Sequence, residues 1–193
     1  RVAGDHLDLA TLSAMALATG LLPAKAAAAF AALNPTGSLR DPLVEIDLGD
    51  PRLVTHVQAT LDDVAVDSWH HSPIVRGVSG TLAASPRGGT LTLAGQGDIQ
   101  LGFPTAYDQL LRLGAARGSV AFSLDAGYRA LEVYGSDLEV TAPEGAGRIA
   151  AAFRLWQPLT PGDGGEMWLS AGIRDTNSDY ARQFLPKVLD PQL

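Results

Sequence analysis

The chain has 193 residues, 46% of them hydrophobic and only 18% charged, which supplies core material for one domain and argues against disorder. Acidic residues outnumber basic ones 21 to 14, the wrong sign for a nucleic-acid surface. The absence of cysteine excludes disulfides, thiolate zinc sites and thiol nucleophiles, and it fits an oxidising compartment.

The first third reads as helical. Asp8 is placed to cap a helix through Leu9, Leu12, Met15 and Ala16 that Gly20 closes. Pro23 opens an alanine-rich segment, Ala24 to Leu33, stopped by Asn34-Pro35. Leu9 to Leu33 is interrupted by Gly20, Pro23 and Lys25, so it falls short of the ~20 apolar residues of a membrane span. With little bulk on either apolar face, the two helices are expected to pad one end of a sheet.

From Gly37 onward the hydrophobic period becomes two, the pattern of strands with one wet face. Val44, Ile46 and Leu48 alternate with Glu45 and Asp47. The rhythm returns around Val57 to Leu61, Val78 to Ala84, Leu91 with Leu93, and Ile99 to Phe103. After an apolar stretch at Leu110, Leu111 and Leu113 it resumes at Val120 to Leu124, Leu131 with Val133, and Leu138 with Val140. Ile149 to Leu155 and Met167 to Ile173 complete it. Turn chemistry separates the runs at Pro86-Arg87-Gly88-Gly89, Asp125-Ala126-Gly127, Gly135-Ser136-Asp137, Glu144-Gly145 and Asp163-Gly164-Gly165. Asn177 is placed to cap a last short helix through Tyr180 and Phe184 to Pro186. About ten strands with short links leave no room for parallel crossovers of a dozen or more residues. The fold class is therefore mainly β, an antiparallel meander; periodicity alone leaves a sandwich, a closed barrel and one curved open sheet equally open.

Catalytic chemistry is sparse. His70 and His71 are adjacent, and neighbours on a strand point to opposite faces. No histidine pair has the helical spacing of a zincin. Gly95-Gln96-Gly97 lacks the third glycine of a dinucleotide loop, and Gly77-Val78-Ser79-Gly80 lacks the spacing of a nucleophile elbow. The acidic groups Asp5/Asp8, Asp62-Asp63 and Asp137/Glu139 are candidates for calcium or paired-carboxylate chemistry, with strand-end and solvated-face roles the commoner use. No enzyme activity, metal or cofactor is expected. An exposed aromatic platform, as in a β-sandwich carbohydrate-binding module, would draw on Trp69, Trp156 and Trp168, which lie far apart in sequence.

Several phrases occur in an order that resembles the YhdP-type group of AsmA-like proteins. They are Leu33-Asn34-Pro35-Thr36-Gly37-Ser38-Leu39; Leu61-Asp62-Asp63-Val64 through Trp69; Ser72-Pro73-Ile74-Val75-Arg76-Gly77-Val78-Ser79-Gly80-Thr81-Leu82; and Gly89-Thr90-Leu91-Thr92-Leu93. The ending Tyr180-Ala181-Arg182-Gln183-Phe184-Leu185-Pro186 continues the series, with Phe184 where that group usually has tyrosine.

The resemblance implies one β-groove module, residues 1–193, belonging to a larger inner-membrane-anchored protein of the diderm periplasm. Its parts would be a helical end-piece over 1–35, a single long curved antiparallel sheet over 36–175, and a short helix over 177–186. It implies a carrier of phospholipid between inner and outer membranes, with acyl chains and flanking modules of the same chain as partners. Membrane contact would come through parts outside this segment, with no nucleic acid involved. The expected groove lining is Val57, Ala59, Leu61, Leu82, Leu91, Leu93, Leu101, Val120, Phe122, Leu124, Leu131, Val133, Leu138, Val140, Ile149, Phe153, Leu169 and Ile173. The alternative is an envelope scaffold or chaperone that binds proteins through its β-edges.

Overall fold

Alternating polar and apolar residues across most of the chain give one antiparallel sheet in the computed structural model, which describes residues 2–20, 24–46, 55–69, 72–95, 98–104, 107–127, 129–143, 147–159 and 165–175. The elements run β1 (Val2–Ala3), β2 (His6–Asp8), α1 (Leu9–Ala18), α2 (Ala24–Leu33), β3 (Thr36–Ile46), β4 (Thr55–Val66), β5 (Ile74–Ser85) and β6 (Gly88–Ala94). They continue with β7 (Ile99–Gly102), β8 (Leu111–Gly114), β9 (Ala116–Leu124), β10 (Ala130–Thr141), β11 (Arg148–Pro158) and β12 (Glu166–Arg174). The twelve strands form a single open sheet, ordered β1-β3-β4-β5-β6-β9-β10-β11-β12, with β2 on β3 and the β7–β8 hairpin on β5. It is a curved open sheet, so the sandwich and the closed barrel are excluded.

The helical end-piece forms as its caps dictate. The Thr11 backbone N–H donates to the Asp8 carboxylate at 2.7 Å, and Gly20 takes φ +64° just past the end of α1. Asn34 terminates α2 in the left-handed region at φ +42°. Helix α1 packs on α2, β2 and β3, at the β3 side of the sheet. The helix expected after Asn177 and the residues Asp47 and Leu48 lie outside the described residues.

One reading is corrected. Gly135-Ser136-Asp137 is not a turn between two strands, because β10 runs unbroken through it. The register instead slips there against both β9 and β11, and Asp137 sits at φ +53°. This is a β-bulge, which bends a strand without ending it. The apolar stretch at Leu111 and Leu113 is likewise a strand, β8, paired with β7.

Further bulges lie in β3 between Arg40 and Leu43 and in β4 between Leu61 and Val64. Each carries an aspartate in the left-handed region, Asp41 at φ +49° and Asp63 at φ +51°, a conformation aspartate tolerates better than most side chains. The Asp63 N–H, freed from the ladder, donates to Ser79 Oγ at 3.1 Å.

At Gly77 (φ +73°) β5 changes partners. On one side of it, Gly80 to Ser85 pair with β6; on the other, Ile74 to Arg76 pair with β7. One strand, β6, therefore links β5 to β9 on the first side, while on the second β7 pairs with β5 and carries β8 on its other edge. A backbone bond from Thr141 N–H to the Ala115 carbonyl at 2.8 Å ties the end of this hairpin to β10.

Candidate functional site: the apolar face

Directly opposed residues of antiparallel strands share a face, so the register sorts the side chains without ambiguity. One row crosses the sheet as Val44–Val57–Ala84–Gly89–Phe122–Val133–Leu155–Met167. Beside it runs Ala59–Leu82–Leu91–Val120–Gly135–Phe153–Leu169. A third begins Leu39–Leu61–Gly80–Leu93–Gly118. None of these rows carries a polar side chain. The opposite face reads Arg40–Thr60–Thr81–Thr92–Ser119–Ser136 along one row.

Burial grades across the apolar face. Leu61, Val78, Ile99, Leu111, Leu113, Ala116, Val140 and Ile149 form one buried cluster, against which Leu82, Leu91, Leu93, Leu101 and Phe103 pack. The β7–β8 hairpin thus joins β4 and β5 to β9, β10 and β11 through its own side chains. Away from the hairpin, Val57, Ala84, Phe122, Val133 and Leu155 are only half-buried. No large side chain among the described residues is fully enclosed. An ordinary core of this size would enclose several.

Register and packing place the eighteen expected lining residues as follows. Val57, Ala59, Leu61, Leu82, Leu91, Leu93, Val120, Phe122, Val133, Phe153 and Leu169 fall in the three rows. Leu124 and Leu131 oppose each other beyond them. Leu138 opposes Ala151, Val140 opposes Ile149, and Ile149 opposes Ile173. Leu101 reaches the same cluster from the hairpin, opposite Val75. Leu169 and Ile173 are exposed, at 54% and 37%, because β12 is the last strand in the order and is exposed along its whole length.

The polar face is knitted by exposed ion pairs between neighbours: Arg40 with Asp62, Arg76 with Asp67, Arg112 with Asp98, and Arg154 with Glu132. Asp62 and Asp63 are therefore used by an ion pair and a bulge, and Asp8 by a helix cap. Among the described residues no group of His, Asp and Glu could hold a metal ion. Trp156 and Trp168, remote in sequence, come together with Tyr134 on this face. Tyr134, Arg154 and Trp168 oppose one another in one row, and Trp156 lies one step along β11 between Glu132 and Glu166. All three rings are exposed, at 42 to 59%. The alternation of β11 with β12 carried this signal, but only the register reveals it.

Three carboxylates are held below the usual range, the first of them Asp8 through its hydrogen bonds from Thr11. The Asn34 amide and then the Arg76 guanidinium lower Asp67, and backbone N–H groups of Ala130 and Arg129 lower Asp125. A depressed folded pKa stabilises the protein above the unfolded value of 3.8, and that contribution is lost as pH falls through the lower folded values. Urea unfolding midpoints should accordingly drop on going from pH 5 to pH 3, and Asp125→Asn should flatten the drop.

A single open antiparallel sheet, apolar along one face and polar along the other, defines the molecule as a β-groove protein. The chain belongs to the YhdP family, whose model, described as YhdP protein, matches residues 1–193. Members are envelope-associated and are not known for enzymatic activity. Comparison with curated proteins and with solved structures gives no match. No helix among the described residues is long and apolar enough to cross a membrane.

Proposed function

We propose that this chain is a module of a periplasm-spanning bridge that carries phospholipid between inner and outer membranes, the acyl chains lying on the apolar face. The observation that carries this reading is the uninterrupted apolar row from Val44 to Met167, half-buried over most of its length. Seven steps between neighbouring strands in that row, at ~4.8 Å each, span about 34 Å. One acyl chain needs about half the ~30 Å hydrocarbon thickness of a bilayer.

The energetics favour a one-sided trough. Moving a diacyl lipid through water exposes about 30 methylenes at ~0.8 kcal/mol each, roughly 25 kcal/mol. A barrier of that height allows on the order of 10⁻⁶ crossings per second. An apolar face removes much of it while the headgroup stays in water, and no charge is needed inside.

Organic extraction of the purified protein followed by lipid mass spectrometry should recover phospholipid. Photo-crosslinkers at Phe122 and Leu93 should label it, and those at Thr92 and Ser123 should not. Labelling from the outward positions alone would overturn the assignment. A second reading, a scaffold that binds proteins by strand addition, draws on the exposed strand β12. It predicts protein crosslinks from Trp168 or Ser170 and no recovered lipid.

A further inference from the structure

Resting on the phospholipid reading above, we infer that Gly135 sets the clearance of the lipid path by letting the Phe153 ring lie flat on the sheet. Gly135 on β10 and Phe153 on β11 are directly opposed in the second apolar row. A Cβ built on Gly135 would stand 2.6 Å from Phe153 Cε1, 3.0 Å from its Cδ1 and 2.8 Å from Leu138 Cδ1. The space that any other residue would fill is therefore occupied by the ring of the neighbouring strand. In the adjacent row the Phe122 ring also leans over a glycine, its Cζ 2.8 Å from a Cβ built on Gly89, although there the Ala83 carbonyl oxygen, closer still, and Ala84 Cα at 2.8 Å exclude a side chain as well.

A ring laid over a glycine covers the backbone and adds little height. A ring standing up would cross the lane that an acyl chain must follow. The two largest side chains of these rows away from the exposed β12 are thus the two that lean over glycines. Gly135 does not sit in the left-handed region, so no backbone conformation demands glycine there. The atoms an alanine would meet are all side-chain atoms. Glycine at this position is explained by the ring together with the Leu138 side chain, and the ring's posture by the need for an open lane. The occupant is an acyl chain of a diacyl phospholipid, because the rows offer no donor or cation to a carboxylate lying among them.

The test uses the purified chain and phosphatidylglycerol vesicles carrying a pyrene-labelled acyl chain, with pyrene fatty acid as a second probe. Gly135→Ala should lift the Phe153 ring and reduce pyrene-phosphatidylglycerol uptake about tenfold, with the circular dichroism spectrum unchanged. Gly135→Ala combined with Phe153→Leu should restore uptake to the level of Phe153→Leu alone, so that the alanine has no effect once the ring is gone. Unchanged uptake by Gly135→Ala overturns the clearance role and leaves the phospholipid reading standing. A double variant that falls below Phe153→Leu alone also overturns it, since the alanine would then act through the fold and not through the ring. Failure of the parent chain to take up pyrene-phosphatidylglycerol overturns both, and uptake of pyrene fatty acid alone overturns the diacyl assignment.

Discussion

Leu111→Ala is expected to cost about 2–4 kcal/mol of folding stability, the range for a buried leucine that leaves a cavity. Leu111 is 7% exposed and belongs to the cluster that joins the hairpin to β4, β5, β9, β10 and β11. The cost should be large relative to the total, because a domain is stable by only about 5–15 kcal/mol and this sheet has few buried residues to share the load. Leu155→Ala, on the half-buried part of the face, is expected to cost about 1 kcal/mol, since less apolar area leaves water there on folding. Urea denaturation of the two variants measures the difference. Equal costs would mean that the face is covered evenly, as in an ordinary core.

Phe122→Asp is expected to lower phospholipid occupancy about a hundredfold, equivalent to about 3 kcal/mol. Phe122 stands in the middle of the longest apolar row, between Gly89 and Val133. A carboxylate there must either lose water against an acyl chain or keep the chain away, and burying an unpaired charge costs several kcal/mol. The residue is only half-buried, so the substitution should leave folding largely intact. Ser123→Asp, one position along on the polar face and opposite Gly88 and Glu132, should leave occupancy unchanged. Lipid phosphorus per mole of protein, measured after gel filtration, compares the two. Equal losses would mean that lipid does not distinguish the faces.

Much of this sheet was legible in the sequence, because a period of two is fixed by strand geometry whatever the neighbours do. Val57, Ala59 and Leu61 fall on one face, Gln58 and Thr60 on the other, wherever β4 lies in the order. The cap at Asp8 was legible for a similar reason, being decided within one turn of helix. Bulges were not. Gly135-Ser136-Asp137 has the composition of a turn, and only pairing with Val120 and Phe153 on either side keeps the strand going. β7 was legible in the alternation of Ile99, Leu101 and Phe103, but β8 was too short to show a rhythm, and the pairing of the hairpin with β5 is set by no local pattern. The meeting of Trp156 with Trp168 depends on the register between β11 and β12, which no local pattern encodes.

The change of partner along β5 at Gly77 has a mechanical meaning. Cloth with a flap stitched along one side of a crease and tacked at its far corner resists being pressed flat, and a sheet whose β7–β8 hairpin is bonded to β5 beyond Gly77 and tied to β10 through Thr141 is in the same position. The bend there is set by hydrogen-bond connectivity within the chain, so it should persist whatever lies on the apolar face.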